Sequence, residues 1–196
     1  MSILDAISTK FGTAIAIATL TLTFGSTVIG QTAPRLSSTQ LMDRAQANTL
    51  FTEASANIET AKELAESLHS YAKQPQRYVQ TEYAAILNDM SAAINKAEEN
   101  IHQIQLTGND LNPLQVETAA KAKADLNAMA RLTEESIRIF DQQSGATRLA
   151  VSGFPENMEQ IYKTGDASHR ILRDYLSYTR NSTRAKRAMH DLERAS

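Results

Sequence analysis

Apolar residues recur at alternating steps of four and three through most of the chain, the spacing that lines side chains along one helix face. The first line runs Ala47, Phe51, Ala54, Ile58, Ala61, Ala65, Leu68, Ala72, widened by Leu50, Leu64 and Tyr71. Ser37 with Gln40 predicts a capping box ahead of it, and Pro75 predicts its end. A second line, Val79, Tyr83, Ile86, Met90, Ala93, Ala97, Ile104, is flanked by Leu87, Ile94 and Ile101, with Gly108 placed for a left-handed cap. The third opens at "NDLNPLQ", where Asn112 caps, Pro113 sits in the first turn and Gln115 reaches back. It continues through Val116, Ala119, Leu126, Ala130, Thr133, Ile137 and Phe140, is interrupted by Lys123, and ends near Ser144-Gly145.

Pro155 opens the fourth line: Met158, Ile161, Gly165, Ser168, Leu172, Tyr175, Thr179, Ser182, Ala185, Met189, Leu192. Gly165-Asp166 is expected to kink or split it, since glycine costs about 1 kcal/mol inside a helix and aspartate favours a cap. The predicted helices are thus 39–73, 76–107, 113–144 and 155–193. They imply an all-α fold, an antiparallel up-down four-helix bundle with Ala-rich interfaces. The alternative is an elongated pair of helical hairpins that completes its core against another chain.

Ahead of the helices stands "FGTAIAIATLTLTFGSTVIGQTAPR", residues 11–35, with no charge between Lys10 and Arg35. Its apolar run is diluted by Thr19, Thr21, Thr23, Ser26 and Thr27 and is short for the ~20 residues of a spanning helix. An N-terminal run of this kind behind Lys10 reads as a signal segment. Val28 and Gly30 supply small residues at the −3 and −1 positions, so cleavage is expected after Gly30, and Pro34 follows. Residues 1–30 are then a signal peptide, 31–38 a short linker and 39–196 one helical domain. Asp5 offsets Lys10, so the alternative is an uncleaved anchor over residues 11–34 in the inner membrane. The expected location is periplasmic or secreted, with membrane contact only through that segment if it is kept.

Composition narrows the chemistry. A hydrophobic content of 42% argues for a packed core, and 6% aromatics with no Trp make it one of small and medium side chains. A formal charge of −2 gives no global attraction to nucleic acid. Without Cys there is no disulfide, thiolate metal site or covalently attached c-type haem.

Glu99 and His102 have the Glu-x-x-His spacing of di-iron bundles, but no second copy exists and both fall outside the apolar line. His69, His169 and His190 each follow a line position directly, at its flank. No nucleophile elbow, phosphate-cradling glycine loop or Cys nucleophile occurs. Tyr162, Tyr175 and Tyr178 interleave with Arg170, Arg173 and Arg180, a pattern better explained by arginine stems covering tyrosine edges than by stacking on nucleic acid. No enzyme, cofactor or metal site is therefore expected.

Charge distribution is the remaining signal. From Arg170 onward seven basic residues face three acidic ones, a local balance of +4, while the first helix carries −2. Packing of the first helix on the fourth accounts for this within one domain. The other reading makes "RAKRAMHDLER" a docking tail for an acidic partner or lipid headgroups, with Arg180, Arg184, Lys186 and Arg187 as docking residues.

In outline, an export segment followed by Gln- and Ala-rich helices looks like several classes of exported adaptor, among them minor pilus subunits of conjugative secretion machines and periplasmic sensor bundles. The expected role is non-enzymatic: protein–protein contact, with another protein or a second copy, as a structural or assembly component of the envelope or of a secretion or pilus-type apparatus. The alternative is a periplasmic small-ligand or metal-binding sensor bundle.

Overall fold

The computed structural model describes residues 38–74, 79–107, 111–143, 151 and 153–195, with side chains from 45. The charge-free stretch, Ser37, Pro75, Gly108 and Gly145 lie outside the described residues. Four helices and no strand occur among them: α1 (Ser38–Ala72), α2 (Gln80–Leu106), α3 (Pro113–Gln142) and α4 (Phe154–Ala195). None of these helices is long and apolar enough to cross a membrane.

All eight members of the first apolar line on α1 are buried; of the residues expected to widen it, Leu50 and Leu64 are half-buried and Tyr71 is exposed. Five of the eight are alanines, which bring neighbouring backbones close, and Phe51, Ile58 and Leu68 fill the space between them. α1 packs against α2 and α4, and α3 packs against α4 and α2. Contacts between α1 and α4 descend one helix as they climb the other: Asn48 meets Tyr175, Ser55 meets His169, and His69 meets Pro155. α3 and α4 are paired in the same opposite order, with Met129 beside Gly165 and Ile139 beside Gly153.

Local chemistry sets the helix ends. Asn112 Oδ1 accepts the Gln115 N–H at 2.9 Å, and Gln115 Oε1 accepts the Asn112 N–H at 2.9 Å, the reciprocal cap expected of that spacing. Replacing Asn112 by alanine is expected to cost about 1 kcal/mol, read as a lower chemical-denaturation midpoint with unchanged slope. At the start of α4, Gly153 has φ 98°, a conformation strained for any side chain, and Glu156 reaches back to its N–H at 2.8 Å.

Several expectations are corrected. α2 begins at Gln80 rather than 76, because Val79 is extended and exposed and its carbonyl accepts the first helical N–H from Tyr83. Val116 is exposed, because the cap turns Gln115 inward and the buried line becomes Gln115, Thr118, Ala119, Ala122, Leu126, Met129. Lys123 does not interrupt that line, since Ala122 occupies it and Lys123 Nζ reaches out to Gln105 at 3.0 Å. α4 runs unbroken through Gly165, where a Cβ would stand 3.2 Å from Lys62 Cβ and 3.3 Å from Met129 Cε. The glycine marks a close approach of three helices, not a break. The fourth line is buried only as far as Leu176; Thr179 and Ser182 are half-buried, and Ala185, Met189 and Leu192 are exposed.

Candidate docking surface on the projecting helix

The exposure of the distal α4 line follows from helix lengths. Asn48, near the start of the described α1 side chains, lies beside Tyr175, and the Asp125–Ser168 contact places Pro113 at the level of Arg180. α4 continues to Ala195, so its last turns, on the order of 20 Å of helix at 1.5 Å per residue, project past the start of α3. Tyr178, Met189 and Leu192 on this segment are 62%, 62% and 71% exposed.

Arg180, Arg184, Lys186 and Arg187 are all exposed and all on the projecting segment. Among the described residues none of the four forms an ion pair. Arg180, Arg184 and Arg187 share one face and, with Asn48, Thr179 and Thr183, line an open groove of about 250 Å³ between α4 and α1. The exposed apolar residues lie about 150° away around the helix at 3.6 residues per turn. The tail therefore carries two separate surfaces.

Charge pairing between α1 and α4 does occur, about three to four turns before Arg180 and through other residues. Lys62 Nζ lies 3.0 Å from Glu59 Oε1 and 3.6 Å from Asp166 Oδ1, with the Tyr162 ring centroid at 5.8 Å. Burial lowers the Lys62 pKa, but the Glu59 hydrogen bond and the Glu59 and Asp166 charges outweigh it and hold it above its ordinary value. His169 Nδ1 lies 3.1 Å from the Ser55 carbonyl, 3.2 Å from Ser55 Oγ and 3.3 Å from Glu59 Oε2. The Ser55 carbonyl and the Glu59 carboxylate both only accept, so Nδ1 carries the proton; it is given to the nearer Ser55 O, and Glu59 Oε2 is left buried without a hydrogen bond. His69 Nδ1 similarly donates to the Pro155 carbonyl at 3.0 Å. These histidines tie α1 to α4.

Among the described residues two carboxyls, Glu98 and Asp125, have raised pKa values. Burial, then the Glu134 carboxylate, pushes Glu98 up against the opposing pull of Lys123. Burial likewise pushes Asp125 up; the Ser168 hydroxyl opposes this but is itself fully buried without a well-formed hydrogen bond. A carboxyl raised on folding leaves stability intact while protonated in both states and removes it as pH climbs through the folded pKa. Asp125→Asn is accordingly expected to raise the thermal midpoint at pH 7 and to give no gain below about pH 3. Equal midpoints at pH 7 would contradict this.

Glu99 and His102 are both exposed, and Glu99 Oε1 accepts from Gln103 Nε2 at 2.6 Å. Among the described residues no group of three His, Asp or Glu side chains is placed to hold a metal ion. Neither a protein-family model, nor a curated protein, nor a solved structure matches this chain.

Proposed function

We propose that this is an exported, non-enzymatic helical protein that acts by protein–protein contact, as a structural or assembly component of the cell envelope or of a secretion or pilus-type apparatus. In this reading residues 1–30 direct export, and the four helices form an antiparallel up-down bundle. Opposite contact order between α1 and α4 and between α3 and α4 supports that topology. The carrying observation is the projecting end of α4, which leaves Tyr178, Met189 and Leu192 exposed on a helix whose inner half is packed. A helix extended past its own core is suited to meet a second surface, and exposed apolar residues in a line are what such a contact would bury. Arg180, Arg184, Lys186 and Arg187 belong to the same docking tail.

The test has two arms. The intact mass of the chain recovered from cell fractions of its host is expected to begin at Gln31 in a soluble exported fraction. A cytoplasmic full-length chain would overturn export, whereas a full-length membrane species would replace cleavage by the anchored alternative. Second, Met189→Ser with Leu192→Ser is expected to abolish co-elution with the native partner while leaving the thermal midpoint unchanged, because neither side chain is in the core. A protein that is monomeric and partnerless before the substitutions would overturn protein contact.

A further inference from the structure

The basic face of the α4 tail gathers three arginines on one groove, whereas several basic residues elsewhere on the protein are each held by a carboxylate of their own helix. Lys121 pairs with Glu117, Arg138 with Glu135, Lys163 with Glu159 and Arg170 with Asp166, each across one helical turn. Arg180, Arg184 and Arg187 instead follow one another at steps of four and three, and among the described residues none of them is ion-paired, Arg187 not even with Asp191 four residues on. Like charges at such spacing oppose helix formation. The helix dipole gives little in return, because its effect is confined to the last turn and Arg187 lies two turns before Ala195.

The three Cα positions span about 10 Å of axis at 1.5 Å per residue, which long arginine side chains bridge to converge on one group. Among the described residues the groove they line has no carboxylate. Among the described residues its free neutral donor is the Asn48 amide: Asn48 Oδ1 accepts the Tyr175 hydroxyl at 2.6 Å, leaving the Nδ2 hydrogens available. The Thr179 and Thr183 hydroxyls already donate to the Leu176 and Thr179 carbonyls. Three guanidinium forks and an amide suit the several oxygens of a phosphate better than the two of a carboxylate.

Place in the molecule selects the source of that phosphate. Asn48 and the arginines mark the end at which α1 begins, and Ser38 stands three residues after Arg35, the residue that closes the charge-free stretch. The groove therefore lies at the end of the domain that the charge-free stretch precedes in sequence, the end nearest the bilayer wherever that stretch is kept as an anchor. We propose that Arg180, Arg184, Arg187 and Asn48 bind the phosphate of anionic phospholipid headgroups and seat the projecting end of the protein on a membrane surface. Lipid contact through the basic face goes beyond the protein-contact reading, for which the apolar line of Tyr178, Met189 and Leu192 remains.

The experiment is flotation of the full chain with phosphatidylcholine vesicles, with and without about one third phosphatidylglycerol. Any apolar binding by residues 11–35 is common to both compositions, so the difference between them is the readout. Preferential binding to the anionic vesicles is expected, falling about 100-fold when Arg180, Arg184 and Arg187 are all changed to glutamine, at roughly fivefold per basic residue at such a surface. The thermal midpoint does not fall in that variant, since the like charges removed oppose the helix. Changing Lys96, Lys121 and Arg131 to glutamine instead is expected to alter the affinity by less than about threefold, since they lie on other helices. Equal binding to both vesicle types, or an unaltered preference in the arginine variant, would overturn the proposal. Inorganic phosphate that binds the groove in solution and abolishes vesicle preference at low millimolar levels would make the ligand a free phosphate rather than a lipid. Loss of a native protein partner in the arginine variant, with vesicle binding intact, would assign the groove to that partner.

Discussion

Phe51→Ala is expected to cost about 3–5 kcal/mol, a large part of the roughly 5–15 kcal/mol that holds a domain of this size together. Phe51 is fully buried on α1, and its ring centroid lies 4.8 Å from that of Tyr175 on α4 at an interplanar angle of 55°. The alanines flanking it on the same line are themselves fully buried, so no longer side chain stands ready to fill the space the ring leaves. Loosening of the Tyr175 ring would also disturb the 2.6 Å bond from its hydroxyl to Asn48, the contact that pins α1 to α4 just before the tail projects. Denaturant unfolding of wild type and variant should show a much lower midpoint with a similar slope. A loss under about 1 kcal/mol would mean that the ring is not enclosed as described.

Gly165→Leu is expected to destabilise the protein by roughly 1–3 kcal/mol or more. Even a Cβ here meets Lys62 Cβ at 3.2 Å and Met129 Cε at 3.3 Å. The Met129 methyl is the end of a flexible side chain and gives way, but Lys62 Cβ moves only with the α1 backbone. Gly165→Ala is therefore expected to be close to neutral, because the gain of about 1 kcal/mol in helix propensity offsets the cost of that small movement. A leucine has to push α1 and α4 apart. If Gly165 were a kink or break with open space around it, both substitutions would stabilise the helix. The sign of the leucine variant thus separates close packing from a local weakness.

Much of the helical architecture was legible in the residues themselves, because a helix face is a local property. The line from Ala47 to Ala72 and the reciprocal cap of Asn112 and Gln115 depend on spacings within one segment, and both occur as expected. Where the reading slipped, the deciding quantity was not local. Val116 is as apolar as Ala119, yet the cap rotates the first turn of α3 so that Gln115 faces inward. Gly165 carries no sign in its own segment that Lys62 and Met129 crowd it. Periodicity likewise continues through Met189 and Leu192 although the helices that bury its earlier members have ended.

The same limit applied to the candidate surface. Opposite charge balances on the first and fourth helices were visible, but the groups that meet are Glu59, Lys62, Asp166 and His169, whereas Arg180, Arg184 and Arg187 face an open groove. Only knowledge of which α1 residue stands opposite which α4 residue separates the two sets. Asn48 was missed for that reason: nothing in its sequence neighbourhood marks it as the neutral donor of a basic groove.

The measurement that bears most directly on the central claim is site-specific photocrosslinking of the full chain in its own host, with the probe at Leu192 and, as a control, at the exposed Lys121 on α3. Contact through the projecting end of α4 is expected to give one discrete product from position 192, with an envelope protein or a second copy, and none from position 121. An absence of product at both positions, or equal products at both, would contradict a docking role for that helix.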